Sequence, residues 1–152
     1  MATVEGSVST VVRRPVSEVF AAVADITRMG EWSPECTAGR WVAPATGPAP
    51  GATFEGDNVA KLGPLTLKRW TTTSEVTAYV PDEVFEFVAE GYTTWRYEFE
   101  ERDGATTVTE SYSYPPRTGW EKFVYDTVTR RPAVMVTGMQ RTLDRVRDSL
   151  EG

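Results

Sequence analysis

Trp95-Arg96-Tyr97-Glu98-Phe99-Glu100-Glu101-Arg102-Asp103-Gly104-Ala105-Thr106-Thr107-Val108-Thr109-Glu110-Ser111-Tyr112-Ser113-Tyr114 decides the architecture of this chain. Asp-Gly between two alternating runs is a strong local signal for a two-residue β-hairpin. On the first arm Trp95, Tyr97 and Phe99 share one face, and Arg96, Glu98 and Glu100 share the other. Successive side chains of a strand point to opposite faces, so this arm belongs to a sheet covered on one side and wet on the other. On the return arm Val108, Glu110, Tyr112 and Tyr114 share a face.

The same signals extend upstream. Residues 53–61 pair with 65–79 across Leu62-Gly63-Pro64, Pro81-Asp82 turns the chain into 83–90, and Gly91 breaks it before 92–102. With 105–114 these segments form a five-strand meander. An opening strand is expected over residues 4–12 with Val4, Val8, Thr10 and Val12 on one face, and another over 36–42. Between the two, Pro15 begins a helix carrying Val16, Val19, Phe20 and Val23, and Asp25 or Thr27 caps a second short one through Ile26, Met29 and Trp32, stopped by Ser33-Pro34. The proline-rich segment 43–51 reads as a loop.

From about Gly119 the apolar period changes from two to three or four. Trp120, Val124, Val128, Met135, Met139, Leu143, Val146 and Leu150 make one stripe of a long helix, which Pro132 is expected to kink or divide. The expected fold is therefore α+β: a curved antiparallel sheet of six or seven strands wrapped around a long C-terminal helix, with two short helices after the first strand. Residues 1–152 suffice for one domain.

Composition narrows the chemistry. The chain has no histidine and a single cysteine, Cys36. That removes Ser-His-Asp and Cys-His arrangements, the commonest zinc ligand and an intrachain disulfide, and leaves carboxylates, tyrosines and arginines for any reaction. No metal site and no cofactor is expected. A net charge of −6 spread along the chain argues against nucleic acid as a partner. The longest apolar run, 19–24, is too short for a membrane span, and the start lacks a signal-peptide pattern, so the expected address is cytoplasmic.

Parity also places Phe54 with Gly56 and Asn58, Trp70 with Thr72, Ser74 and Val76, and Phe85 with Phe87 on the inner face. Polar groups among these aromatics are unexpected in a solid core, because each unpaired one costs roughly 1–3 kcal/mol. A partly wet pocket for a small hydrophobic molecule accounts for them. Its expected lining is Trp32, Trp41, Phe54, Asn58, Trp70, Thr72, Phe87, Trp95, Tyr97, Phe99, Tyr112, Tyr114, Met135 and Met139, with Trp32 and Trp41 either gating the entrance or packing the short helices to the sheet. Glu110 is the candidate catalytic residue: desolvation inside a cavity would raise its pKa and suit it to general acid–base work. Its alternative is an ion pair with Arg69 or Arg40, or exposure at the sheet's end. Asn58 either bonds a ligand carbonyl or satisfies a neighbouring strand, and Cys36 reads as an inert thiol.

Val11-Val12-Arg13-Arg14-Pro15-Val16-Ser17-Glu18-Val19-Phe20, Asp25-Ile26-Thr27-Arg28-Met29-Gly30-Glu31-Trp32-Ser33-Pro34-Glu35, Gly51-Ala52-Thr53-Phe54-Glu55-Gly56-Asp57-Asn58, Arg69-Trp70-Thr71-Thr72 and Thr106-Thr107-Val108-Thr109-Glu110-Ser111 carry a resemblance. Together with the element order they resemble the superfamily of START-related lipid-transfer domains, polyketide cyclases and birch-pollen-allergen-like proteins, in its bacterial polyketide cyclase-like branch. The resemblance implies the helix-grip fold across the whole chain. Functionally it implies a binder or carrier of a lipid, polyketide, isoprenoid or aromatic metabolite. Its alternatives are a polyketide cyclase or dehydratase using Glu110 and a tyrosine, or a protein-interaction module without a ligand. A monomer or homodimer fits each of these.

Overall fold

A computed structural model describes residues 3–116, 118–122 and 131–152. β1 (Val4–Val12) leads through Pro15 into α1 (Val16–Ala24), a single 3-10 turn (Ile26–Arg28) and α2 (Met29–Trp32). The strands β2 (Cys36–Trp41), β3 (Thr53–Leu62), β4 (Leu65–Val80), β5 (Val84–Ala89), β6 (Thr93–Arg102) and β7 (Ala105–Tyr114) follow. A one-turn α3 (Gly119–Lys122) precedes α4 (Arg131–Glu151). All seven strands form one antiparallel sheet in the order β1-β7-β6-β5-β4-β3-β2. This is the helix-grip arrangement.

Local chemistry explains the boundaries. Asp103 and Gly104 both take positive φ, 54° and 79°, so Arg102 and Ala105 pair across a two-residue turn whose twist matches the flanking strands. Pro15, with fixed φ and no backbone donor, stands at the N-cap of α1. The Asp25 carboxylate accepts from the Thr27 amide at 3.1 Å and caps the 3-10 turn. Ser33, in extended conformation before Pro34, ends α2.

The helical stretch from Ile26 to Trp32 lies tightly on β2. A Cβ at Gly39 would overlap the Ile26 carbonyl oxygen, so this crossing requires glycine. At the other edge, β1 and β7 pair from Val4↔Tyr114 to Val12↔Thr106, which joins the first strand to the last. α4 packs against β1 and fastens to the β1–α1 corner. The Arg13 amide donates to Glu151 Oε2 at 2.9 Å, and Arg14 Nε donates to the Leu150 carbonyl at 2.9 Å.

The core divides along the sheet. Beneath α1 and the second half of α4 it is solid, with Val19, Phe20, Val23, Phe85, Phe99, Val108, Leu143 and Val146 buried together. Beneath the start of α4 a smaller cluster holds Tyr112, Tyr114, Met135 and Met139. Met135, Met139, Leu143 and Val146 thus form the inward stripe of α4, and Pro132 falls in its first turn. Trp120, in α3, departs from the expected stripe: it is 75% exposed. Val124 and Val128 lie outside the described residues.

Gly39→Ala is expected to lower stability by at least about 2 kcal/mol, as backbone clashes in a packed crossing do. Gly47→Ala, where an added Cβ meets nothing within 4 Å, should stay within about 0.5 kcal/mol of wild type in a urea titration.

Candidate functional site

Between the concave face of the sheet and the first half of α4 lies a cavity of about 380 Å³. Alternate residues of consecutive strands line it: Phe54, Gly56 and Asn58 from β3, Trp70, Thr72 and Ser74 from β4, Phe87 and Ala89 from β5, Thr93, Trp95 and Tyr97 from β6, and Glu110 from β7. α4 contributes Val134, Met135, Gly138, Met139 and Thr142, and the segment around α2 contributes Met29, Ser33, Pro34, Glu35 and Cys36. Glu90 and Tyr92 border it from the β5–β6 turn.

Most of the polar lining is held within the protein. Asn58 Nδ2 donates to the Gly56 carbonyl at 3.1 Å and to Thr72 Oγ1 at 3.2 Å, so its amide satisfies neighbouring strands. Thr142 Oγ1 donates back to the Gly138 carbonyl at 2.9 Å. The Cys36 thiol is pushed up by burial and donates to the Ala38 carbonyl at 3.3 Å, an arrangement that keeps it protonated and unreactive.

Glu110 differs from these. It is only 3% exposed, and its Oε1 has no hydrogen-bond partner among the described residues. Burial raises its pKa to about 8, against a hydrogen-bonding contribution from Tyr97 that favours the charged form. Tyr97 is the cross-strand partner of Glu110, and its own phenol is pushed well up, first by burial and then by the nearby carboxyl. At neutral pH Glu110 is therefore chiefly a neutral carboxylic acid, able to donate one hydrogen bond and accept others. The ion-pair alternative fails because both arginines stand elsewhere. Arg40 is exposed and binds Asp57 at 2.9 Å and Glu55 at 3.3 Å, and Arg69 lies exposed on the β3–β4 hairpin. The exposure alternative fails on burial.

Of the residues expected from sequence to line a pocket, Phe54, Asn58, Trp70, Thr72, Phe87, Trp95, Tyr97, Met135 and Met139 surround the cavity with Glu110. Tyr112 and Tyr114 face the same side but stack on each other, ring centroids 5.9 Å apart, beneath Met135 and Met139 and behind the lining. Phe99 packs edge-on against Phe20 in the solid half of the core. Trp32 is buried in that core rather than set at an opening, with the Arg28 guanidinium 4.7 Å over its ring. Trp41 borders a second cleft with Phe20 and Tyr79. Among the residues not foreseen, Gly138 and Thr142 could have been found by extending the helical spacing of Met135 and Met139. The Ser33–Glu35 wall depends on how the segment after α2 folds back, for which the sequence carries no local signal.

A strand meander gripping a terminal helix over a cavity, with a buried carboxyl in its wall, is the helix-grip class of fold. The model of the family described as polyketide cyclase / dehydrase and lipid transport matches residues 1–151, and the chain belongs to that family. The solution structure of a polyketide-cyclase-like protein of Corynebacterium glutamicum is 31% identical and superposes with a TM-score of 0.67, covering 99% of this chain and 93% of that one. An AHSA1-like protein of Aeromonas hydrophila is similar in fold at 20% identity and a TM-score of 0.66, over 97% of this chain and 92% of that one. The di-domain ARO/CYC protein StfQ of the steffimycin biosynthetic pathway shares the fold at 13% identity and a TM-score of 0.74, over 98% of this chain and 51% of its own length. A comparison with curated proteins gives no match. No described helix is long and apolar enough to cross a membrane, and among the described residues no group of carboxylates and thiol could hold a metal ion.

The raised pKa of Glu110 sets a pH dependence of stability. The folded state holds this proton up to about pH 8, whereas the unfolded chain releases it near the ordinary glutamate value of about 4.3. Between those values the folded state binds more protons, so the contribution of Glu110 to stability falls as pH rises, by at most about 1.4 kcal/mol per pH unit, and levels off above the folded pKa. Glu110→Gln should flatten that slope between about pH 5 and 8 in denaturant titrations and be the more stable protein at the upper end.

Proposed function

We propose that this chain binds a small, mainly apolar molecule carrying at least one oxygen acceptor, and that neutral Glu110 donates a hydrogen bond to that oxygen. The observation that carries this reading is the unpartnered Oε1 of a buried acid facing an aromatic cavity. An orphaned buried carboxyl oxygen is costly, and if it carries the acid's proton, a ligand oxygen or an ordered water accepting from it would satisfy it. The cavity's size falls within the range of small-molecule sites, roughly 300–1,000 Å³. Its aromatic and thioether walls supply affinity by area, at about 25 cal/mol per Å² before the costs of association, while the few polar groups set orientation. Lipids, polyketides, isoprenoids and aromatic metabolites share this chemistry.

A second reading, a cyclase or dehydratase, is favoured by one specific observation: the pKa of Glu110 lies near neutrality, where an acid both gives and recovers protons. In a β-hydroxyketone, the Glu110 carboxyl would protonate the departing hydroxyl, and the resulting carboxylate would take the proton from the adjacent carbon. Water is released and the acid regenerated. Tyr97, beside it, would hold the carboxyl in place.

Native mass spectrometry of the purified protein should show a co-purifying molecule, and a fluorescent fatty acid should bind with displacement by it. Thr72→Trp, which places an indole in the cavity, should weaken binding at least about tenfold; undiminished binding would put the ligand elsewhere. Glu110→Gln separates the two readings. A carrier keeps binding within a few-fold, whereas a cyclase loses roughly 100-fold or more in turnover of a poly-β-keto substrate.

A further inference from the structure

The β3–β4 hairpin runs on past the cavity. Asn58 and Trp70, paired across the two strands, stand in the cavity wall, whereas Leu62 and Leu65 pair at the tip. At ~3.3 Å per residue the tip reaches roughly 13 Å beyond that wall. It carries Leu62, Leu65 and Leu67, exposed to 69%, 60% and 60%. None of the three contributes to the core.

Charge around these leucines is opposite in sign to the rest of the protein. Residues 61–69 contain Lys61, Lys68 and Arg69 and no acidic residue, in a chain of net charge −6. All three cations are exposed. Lys68 Nζ lies 5.4 Å over the Trp70 ring, so the positive charge extends to the cavity's rim. The acid on the neighbouring segment is Glu35, whose carbonyl accepts from the Val59 amide at 2.9 Å at the base of the hairpin rather than at its tip. Across the mouth α4 presents Val134, 52% exposed, which lines the same cavity.

Isolated surface leucines need no explanation, but three at one tip, interleaved with cations, form an amphipathic wedge. Such a wedge suits the headgroup region of an anionic bilayer. The leucines reach the acyl boundary, and the ammonium and guanidinium groups stay among the phosphates. The acidic remainder of the protein is repelled by the same surface. With a Debye length of about 10 Å at 0.1 M salt, a tip held roughly 13 Å out is the part that approaches. We infer that the β3–β4 tip docks on an anionic lipid surface and turns the cavity mouth toward it. This docking is independent of what the cavity holds.

Sedimentation with vesicles tests it. Wild type should bind vesicles of roughly 3:1 phosphatidylcholine to phosphatidylglycerol at low salt and leave them as salt rises. It should bind pure phosphatidylcholine vesicles at least about tenfold more weakly. Leu62→Ser/Leu65→Ser/Leu67→Ser and, separately, Lys61→Glu/Lys68→Glu should each reduce binding to the mixed vesicles at least about tenfold with the melting temperature unchanged, since all five side chains are exposed. Equal binding to both vesicle types, no binding to either, or binding undiminished by either variant overturns the assignment. Leucine-dependent self-association without vesicle binding would give the tip to a second copy of the chain and equally overturns it.

Discussion

α4 is fastened at one end and spans open space at the other, and the site depends on that asymmetry. Its C-terminal half lies on a solid core through Leu143 and Val146, and its last turn is tied to the β1–α1 corner by Glu151 and the Leu150 carbonyl. Its N-terminal half rests on Met135 and Met139 above stacked tyrosines, with the cavity beside them. A helix anchored along its whole length would leave no room between itself and the sheet. One left unanchored would not exclude water from Glu110.

The burial of Glu110 in its wall is what gives the cavity its chemical character. A carboxyl in solvent is ionised at neutral pH and attracts cations; Glu110, buried opposite Tyr97, remains neutral and so can donate a hydrogen bond. Asn58, Thr72 and Thr142 in the lining are tied to one another or to backbone, which keeps their part of the wall hospitable to apolar surface. Carrier and catalyst thus require the same first step, the placement of a ligand oxygen against this acid, and differ in whether a proton then moves.

Much of this was legible in the sequence because alternation along a strand is a sharp signal. Trp95, Tyr97 and Phe99 against Arg96, Glu98 and Glu100 decide a face without any knowledge of the neighbours. Asp103-Gly104 fixes the register of its hairpin, and the stripe from Met135 to Val146 fixes the inward face of α4. Parity assigns a side chain to a face but says nothing about where along that face the core is solid. Phe99, Tyr112 and Tyr114 therefore share the inner side with Tyr97 and Glu110 and yet stand outside the cavity. Trp32 and Trp41 depend on how the short helices cross β2, which Gly39 permits but no spacing reports. The family match over residues 1–151 agrees with what strand order and the terminal helix had implied.

The most direct measurement is a carbon-detected NMR titration of the glutamate side-chain carboxyls, with Glu110 assigned through Glu110→Gln. A midpoint near 8, moving when an oxygen-bearing ligand is added, is the result expected of an acid buried in the cavity wall. A midpoint near the ordinary value of about 4.3, indifferent to ligand, would mean that water reaches Glu110 freely and would contradict the account.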